Sequence, residues 1–298
     1  MTSGRESRLA GARAAVPGGL AILPARRPWR WVAAAGLAVF GAWVVFQVLT
    51  NPGFQWAVVG RYMLHPDVLR GVGMTVELTA LVMLMGAAIG VGLAALRLSR
   101  DPILPFCAGV FVWFFRGTPV LVQLVFWYNL ASLFPELSLG IPFGGPKLYS
   151  MSSTAAISSF TAAMLGLGLN EAAYMAEIVR AGLLSVDAGQ WDASKALGHR
   201  PWQTFRVVVL PQAMRAIVPP TGNQVIGMLK YTSIASVVAL GELMHSVENI
   251  YSRTFETVPL LIVAAIWYLV MVSLLSIAQA FIERHYARGS DPSAAGPA

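Results

Sequence analysis

NEAAYMAEIVRAGLLSVDAGQWDASKALGHRPWQTFRVVVLPQAMRAIVPPTGNQVIGMLKYTSIASVVALGEL, residues 170–243, joins two apolar runs through a basic stretch punctuated by Gly and Pro. Each apolar run is long enough to cross a bilayer, which takes about 20 residues. The connection, residues 183–215, has helical patterning of its own and is longer than a plain connector needs to be. A membrane protein that places two short helices in water presents them to a soluble partner.

The rest of the chain agrees with a bilayer setting. Of 298 residues 56% are hydrophobic and 12% charged, with mean hydropathy +0.64. Soluble domains carry about 25% charged residues. The single cysteine, Cys107, excludes an intrachain disulfide and is expected to be a small buried hydrophobe. The net charge of +7 does not imply nucleic acid, because the basic residues form no single patch interleaved with aromatics.

Six apolar segments emerge, residues 31–49, 72–96, 105–133, 154–181, 217–240 and 258–281. With the N-terminus inside, the inner segments hold fifteen of the 21 Lys and Arg, and the outer loops only Arg61, Arg70, Lys147 and Arg253. That asymmetry predicts that both termini are cytoplasmic. Connection 183–215 then faces the cytoplasm. Residues 1–28 read as a basic disordered tail able to touch anionic lipid, and 286–298 as a second disordered tail. The run after Arg30 reads as an uncleaved helix, since no small-residue cleavage site follows it.

Within the connection, Asp187 is positioned to cap a helix over 188–197, with Gln190 three residues on. Gly198 suits the left-handed residue after its end, and Pro201 can open a second helix that Pro211 stops. The small residues Ala193, Ser194 and Ala196 let another surface approach closely.

This segment resembles the EAA loop of ABC importer permeases. Asp192, Ala193, Ser194, Lys195, Ala196, Leu197 and Gly198 follow that pattern, with Asp for its Glu and Ser for its second Ala. Leu210-Pro211-Gln212, Pro219-Pro220, Arg116-Gly117-Thr118-Pro119, Lys230 with Thr232-Ser233, and Glu283-Arg284 resemble the polar amino-acid subfamily, which carries histidine, glutamine, arginine and opines. Tyr231 departs from it, standing where many members have an acid or amide. The resemblance covers roughly 71–288. It implies an all-α type I permease core of five helices (71–285), preceded by an added helix (29–52). It implies four kinds of partner: a cytoplasmic ATPase dimer that binds ATP and Mg²⁺, a second permease chain, identical or different, an extracytoplasmic binding protein, and membrane lipid. Gly189, Asp192, Ala193, Ser194, Ala196, Leu197 and Gly198 are then the residues coupled to the ATPase.

No phosphate-binding loop, His/Cys cluster or Ser/His arrangement occurs, so the chain is read as a transport subunit that holds no cofactor or metal and catalyses nothing itself. An ion-gradient carrier is the alternative class; no internal repeat supports it. Ionisable groups inside spans face cavities or partners. Asn170, Glu171, Gln123, Asn223, Glu77, Lys230, Thr232 and Ser233 are the expected residues of the substrate path. The Pro119 and Pro219-Pro220 sites are expected to unwind their helices beside Gln123 and Asn223. Arg116 is placed near a membrane interface, and Glu177 with Arg180 as a surface pair. Gly86 and Gly90 form a small-x-x-x-small packing face.

Overall fold

The computed structural model describes residues 29–140, 145 and 147–287; the tail assignments 1–28 and 288–298 lie outside them. Helix α1 (Trp29–Thr50) is a separate unit. It is apolar on every side and its 22 residues extend about 33 Å, enough to cross hydrocarbon.

The second unit holds α2 (Trp56–Tyr62), α3 (Pro66–Arg97), α4 (Ile103–Gly117), α5 (Val120–Tyr128), α6 (Ser159–Leu184), α7 (Ala188–Ala196), α8 (Leu210–Tyr231), α9 (Leu243–Thr254) and α10 (Thr257–Ala287). A short antiparallel hairpin, β1 (Glu136–Gly140) with β2 (Lys147–Ser152), joins α5 to α6, so the all-α reading holds for the bundle but not for this connection. Among the described residues, three helices are long and apolar enough to span a membrane, and up to five if two bent pairs each count once. α6 carries Asn170, Glu171, Glu177 and Arg180 and so fails on composition, though its 26 residues are long enough.

The bundle is organised by α3 against α6. Gly86 and Gly90 are buried on that face. A Cβ added at Gly86 would stand 2.7 Å from Glu171 Cγ, and one at Gly90 2.6 Å from Met175 Cβ. The two backbones therefore meet at the glycines, as the spacing predicts. Leu78, Val82, Leu124, Leu167 and Val209 fill the adjoining core and are fully buried.

Buried hydrogen bonds fix the other packed elements. Glu242, fully buried, caps α9 by accepting from the Met244 and His245 amides, each at 2.8 Å. Tyr268 of α10 donates to the same carboxylate at 3.0 Å, and Thr75 of α3 accepts from the Leu243 amide at 3.1 Å. The Gly241-Glu242 pair before an amphipathic run was the sequence signal for this cap, and sequence reasoning missed it. Trp267 Nε1 donates to the Met63 carbonyl at 2.9 Å, holding α10 to the end of α2.

Four expectations are corrected. Pro219 and Pro220 lie inside α8 without breaking it. The helix runs through them with Gln279 Nε2 on the Pro219 carbonyl at 3.3 Å and Thr221 Oγ1 on the Ile217 carbonyl at 2.8 Å. Pro211 does not stop its helix either: a widened turn over Thr204–Val209 leads into α8, and Pro211 falls in the first turn, where a missing donor costs little. Cys107 is exposed on α4 rather than buried. α10 also continues to Ala287, two residues into the stretch assigned as tail.

Gly90→Leu is expected to destabilise the detergent-solubilised protein by about 1–3 kcal/mol. Gly92→Leu, where an added Cβ meets nothing within 4 Å, should leave the thermal midpoint nearly unchanged. Matching melts for the two variants would refute the glycine contact.

Candidate functional site

The third apolar segment is bent by 99° between α4 and α5, at Thr118-Pro119. Pro119 supplies no amide hydrogen and biases Thr118 to an extended backbone (φ −105°, ψ 142°), so the helix must stop there. The freed carbonyls find side chains. Gln123 Nε2 lies 2.9 Å from the Phe115 carbonyl, 3.1 Å from the Thr118 carbonyl and 2.7 Å from Thr118 Oγ1. Asn170 of α6 donates to the Phe115 carbonyl at 2.6 Å. Gln123, 5% exposed, thus splices the break, and Asn170 ties it to α6.

The break opens one wall of a cavity of about 380 Å³. Arg116, Thr118 and Pro119 line it from the break, Asn170, Glu171 and Tyr174 from α6, and Gln224, Met228 and Tyr231 from α8. Glu171 is 2% exposed, and its Oε1 has no hydrogen-bond partner among the described residues. Arg116 is held over the Tyr174 ring, Cζ 4.9 Å from its centroid. Arg116 therefore stands at the break and on the cavity wall. The cavity brings together a carboxylate, a guanidinium, two amides and two phenols in a low-dielectric surround, where charge–charge interactions are strong.

Two of the eight expected path residues, Asn170 and Glu171, line this cavity. Gln123 sits directly behind it. Glu77 and Lys230 are exposed outside its wall. Asn223 accepts from Gln279 of α10 at 3.1 Å on a continuous helix. Thr232 and Ser233 return their hydroxyls to the Leu229 and Lys230 carbonyls, each at 2.7 Å, closing the end of α8. The residues sequence reasoning missed are Arg116 as a wall residue, Tyr174, Gln224 and Tyr231. The signal for Arg116 was the Arg-Gly-Thr-Pro break itself. Glu177 pairs with Arg180 at 2.7 Å as expected, and also with Arg97 of α3 at 3.5 Å.

The helical connection forms a compact corner. Asp187 caps α7 through the Gly189 amide at 2.7 Å. Gly198 adopts φ +79°, with its amide on the Lys195 carbonyl at 2.9 Å and the His199 amide on the Ser194 carbonyl at 3.2 Å. These two bonds close the end of α7, and they need the left-handed residue. Gln190 does not complete a capping box; it accepts from Gln212 of α8 at 3.2 Å. Ser194 is 3% exposed and bridges His199 Nδ1 at 3.0 Å and Thr204 Oγ1 at 2.9 Å. It is an inner strut, so the small outer face consists of Ala193 and Ala196, flanked by the exposed Gly189, Asp192, Leu197 and Gly198. Leu197 is 78% and Trp202 65% exposed, while Trp191 packs inward against the core.

Residues 86–288 match the family described as binding-protein-dependent transport system inner membrane component. The match spans more than half of the chain, and the chain belongs to that family. An arginine transport system permease protein of Corynebacterium glutamicum is 43% identical over 94% of this chain and 87% of its own length. A probable amino-acid ABC transporter permease protein of Bacillus subtilis is 33% identical over 78% of this chain and 96% of its own length. A solved amino acid ABC transporter with histidines superposes with TM-score 0.62 at 34% identity, covering 74% of this chain and 94% of that one. The chain is thus an inner-membrane subunit of an ABC importer, a transport component rather than an enzyme.

Gln123→Leu should lower stability by about 1–3 kcal/mol, because it takes the side-chain donor from the Thr118 carbonyl and one of two from the Phe115 carbonyl. Thermal unfolding in detergent reads this, and an unchanged midpoint would show that the splice is dispensable.

Proposed function

We propose that this subunit moves polar amino acids inward across the cytoplasmic membrane as half of a two-permease core. A separate ATPase pair docks on α7 and holds the ATP and Mg²⁺, and an extracytoplasmic binding protein delivers the substrate. Both termini and connection 183–215 lie on the cytoplasmic side in this reading, and 71–285 forms the transport domain. Relatives named for arginine, octopine and cystine transport support the substrate class.

The observation that carries the reading is the cavity lined by both Glu171 and Arg116. An α-amino acid presents an ammonium and a carboxylate, and each finds its opposite there. Arg116, stacked on Tyr174, keeps guanidinium N–H groups for a carboxylate. Glu171 offers an unpartnered buried oxygen to an ammonium or a cationic side chain. Asn170 and Gln224 add hydrogen-bonding capacity in the same cavity. An unpaired buried carboxylate is costly, so a cationic ligand is favoured as its partner.

Coupling follows from rigidity. α7 is tied to the widened turn by Ser194–Thr204 and to α8 by Gln190–Gln212. α8 runs unbroken from that corner to Gln224 and Met228 at the cavity. Closure of the ATPase pair displaces α7, and α8 carries the displacement about 33 Å as one body.

The test is purification of the tagged assembly from its native membrane, followed by reconstitution into vesicles. The reading expects a co-purifying ATPase and ATP-dependent amino-acid uptake. Gly198→Pro, which cannot hold φ +79°, should lose the ATPase while the chain stays folded in the membrane. A chain that purifies alone and moves amino acids without ATP would overturn the proposal.

A further inference from the structure

A second cavity, of about 690 Å³, opens between α3, α6, α8 and α10 and shares no wall residue with the first. Its walls are almost wholly hydrocarbon, with Val91, Leu98, Val179, Ile217, Ile226 and Ala278 among them. Three polar side chains interrupt them: Thr221, Gln279 and Glu283.

All three offer only acceptors to a ligand. The Thr221 hydroxyl hydrogen goes to the Ile217 carbonyl at 2.8 Å. Gln279 is 9% exposed, and its Nε2 is surrounded by the Pro219 carbonyl, Asn223 Oδ1 and Glu283 Oε1, at 3.3, 3.1 and 2.7 Å. Three acceptors around one end fix which end of the amide is nitrogen. Gln279 Oε1 is consequently buried with no partner among the described residues. Such an oxygen costs free energy until a donor reaches it. Glu283 accepts from Gln279 and makes no ion pair among the described residues, so its carboxyl group can take a cationic donor at the polar end.

Location agrees with chemistry. α10 has 31 residues and is about 46 Å long, more than the hydrocarbon thickness, so its last turns reach headgroup depth. Glu283 is in the last turns, and the apolar walls run from it back along the helix toward Leu275.

We propose that this groove is a binding site for an aminophospholipid: one acyl chain lies along the α3–α10 walls, and the headgroup ammonium donates to Glu283 and Gln279 Oε1. The proposal rests on the membrane setting and not on the assignment of the Glu171 cavity. The ligand chemistry is a primary ammonium joined to a hydrocarbon chain, and an anionic headgroup is rejected by Glu283. Occupancy would hold α8 and α10 together beside the link from α7 to the Glu171 cavity.

The experiment is native mass spectrometry of the full chain in mild detergent, with dioleoyl phosphatidylethanolamine or dioleoyl phosphatidylglycerol added at equal concentration. The wild type should retain the ethanolamine lipid about tenfold better, the scale of one charge-assisted hydrogen bond. Glu283→Gln should erase the preference while still retaining some of both lipids. Ala278→Phe, which fills the groove, should lose both. Equal retention of the two lipids by the wild type would overturn the proposal, as would an undiminished preference in Glu283→Gln. Glu283 is only half-buried at the rim, so Glu283→Gln stays informative if Ala278→Phe fails to fold. Dissociation of a dimer by Ala278→Phe, with lipid retention unchanged, would assign the groove to a second copy and also overturn it.

Discussion

The close approach of α3 and α6 is the constraint on which the rest of the structure depends. With no side chain at Gly86 or Gly90, the two backbones meet, and Glu171 is laid against α3 instead of being pushed into lipid. A carboxyl group at bilayer depth is costly unless the protein supplies a cavity or a partner for it. The α3–α6 contact supplies the enclosure, and the proline break between α4 and α5 supplies the opening. Arg116 and Tyr174 then line the same cavity as Glu171.

A second constraint is continuity from the cytoplasmic corner to the cavity. α8 contains three prolines, yet it neither stops nor unwinds. The widened turn before it takes up Pro211, and α10 supports the stretch around Pro219 through Gln279. The outcome is one continuous helix, tied at one end to α7 through Gln190–Gln212 and lining the cavity at the other. In the proposed mechanism this helix is the element that passes a displacement of α7 to the cavity. The groove between α3 and α10 lies alongside that helix, so its contents bear on how freely the helix moves.

Much of this was legible in the sequence, for identifiable reasons. Gly198, Pro201 and Asp187 act through backbone rules that need no tertiary information, and each took its expected place. The Gly86–Gly90 face was legible because a spacing of four residues stacks on one side of a helix. Burial was less legible. Ser194 reads as one of three small outer residues, but it turns inward because His199 and Thr204 arrive from beyond the turn to meet its hydroxyl. Proline effects were misjudged at the Pro219-Pro220 pair, which was expected to unwind α8: the helix continues through it, with Gln279, sixty residues away in the chain, bonded to the Pro219 carbonyl. The cavity wall was half legible. Glu171 stands out as an acid in an apolar run, whereas Tyr174 and Tyr231 show only as parts of family motifs and Gln224 not at all until three elements converge.

The account's central claim is that the Glu171 carboxylate faces the transported cation. Its most direct test is ATP-driven uptake by the reconstituted assembly with Glu171→Gln, an isosteric change that removes only the charge. Arginine, histidine and glutamine would be compared side by side. The account predicts that arginine uptake falls at least about tenfold, the scale of a lost buried ion pair, and that glutamine uptake falls much less. Unchanged rate and affinity for all three substrates would contradict it.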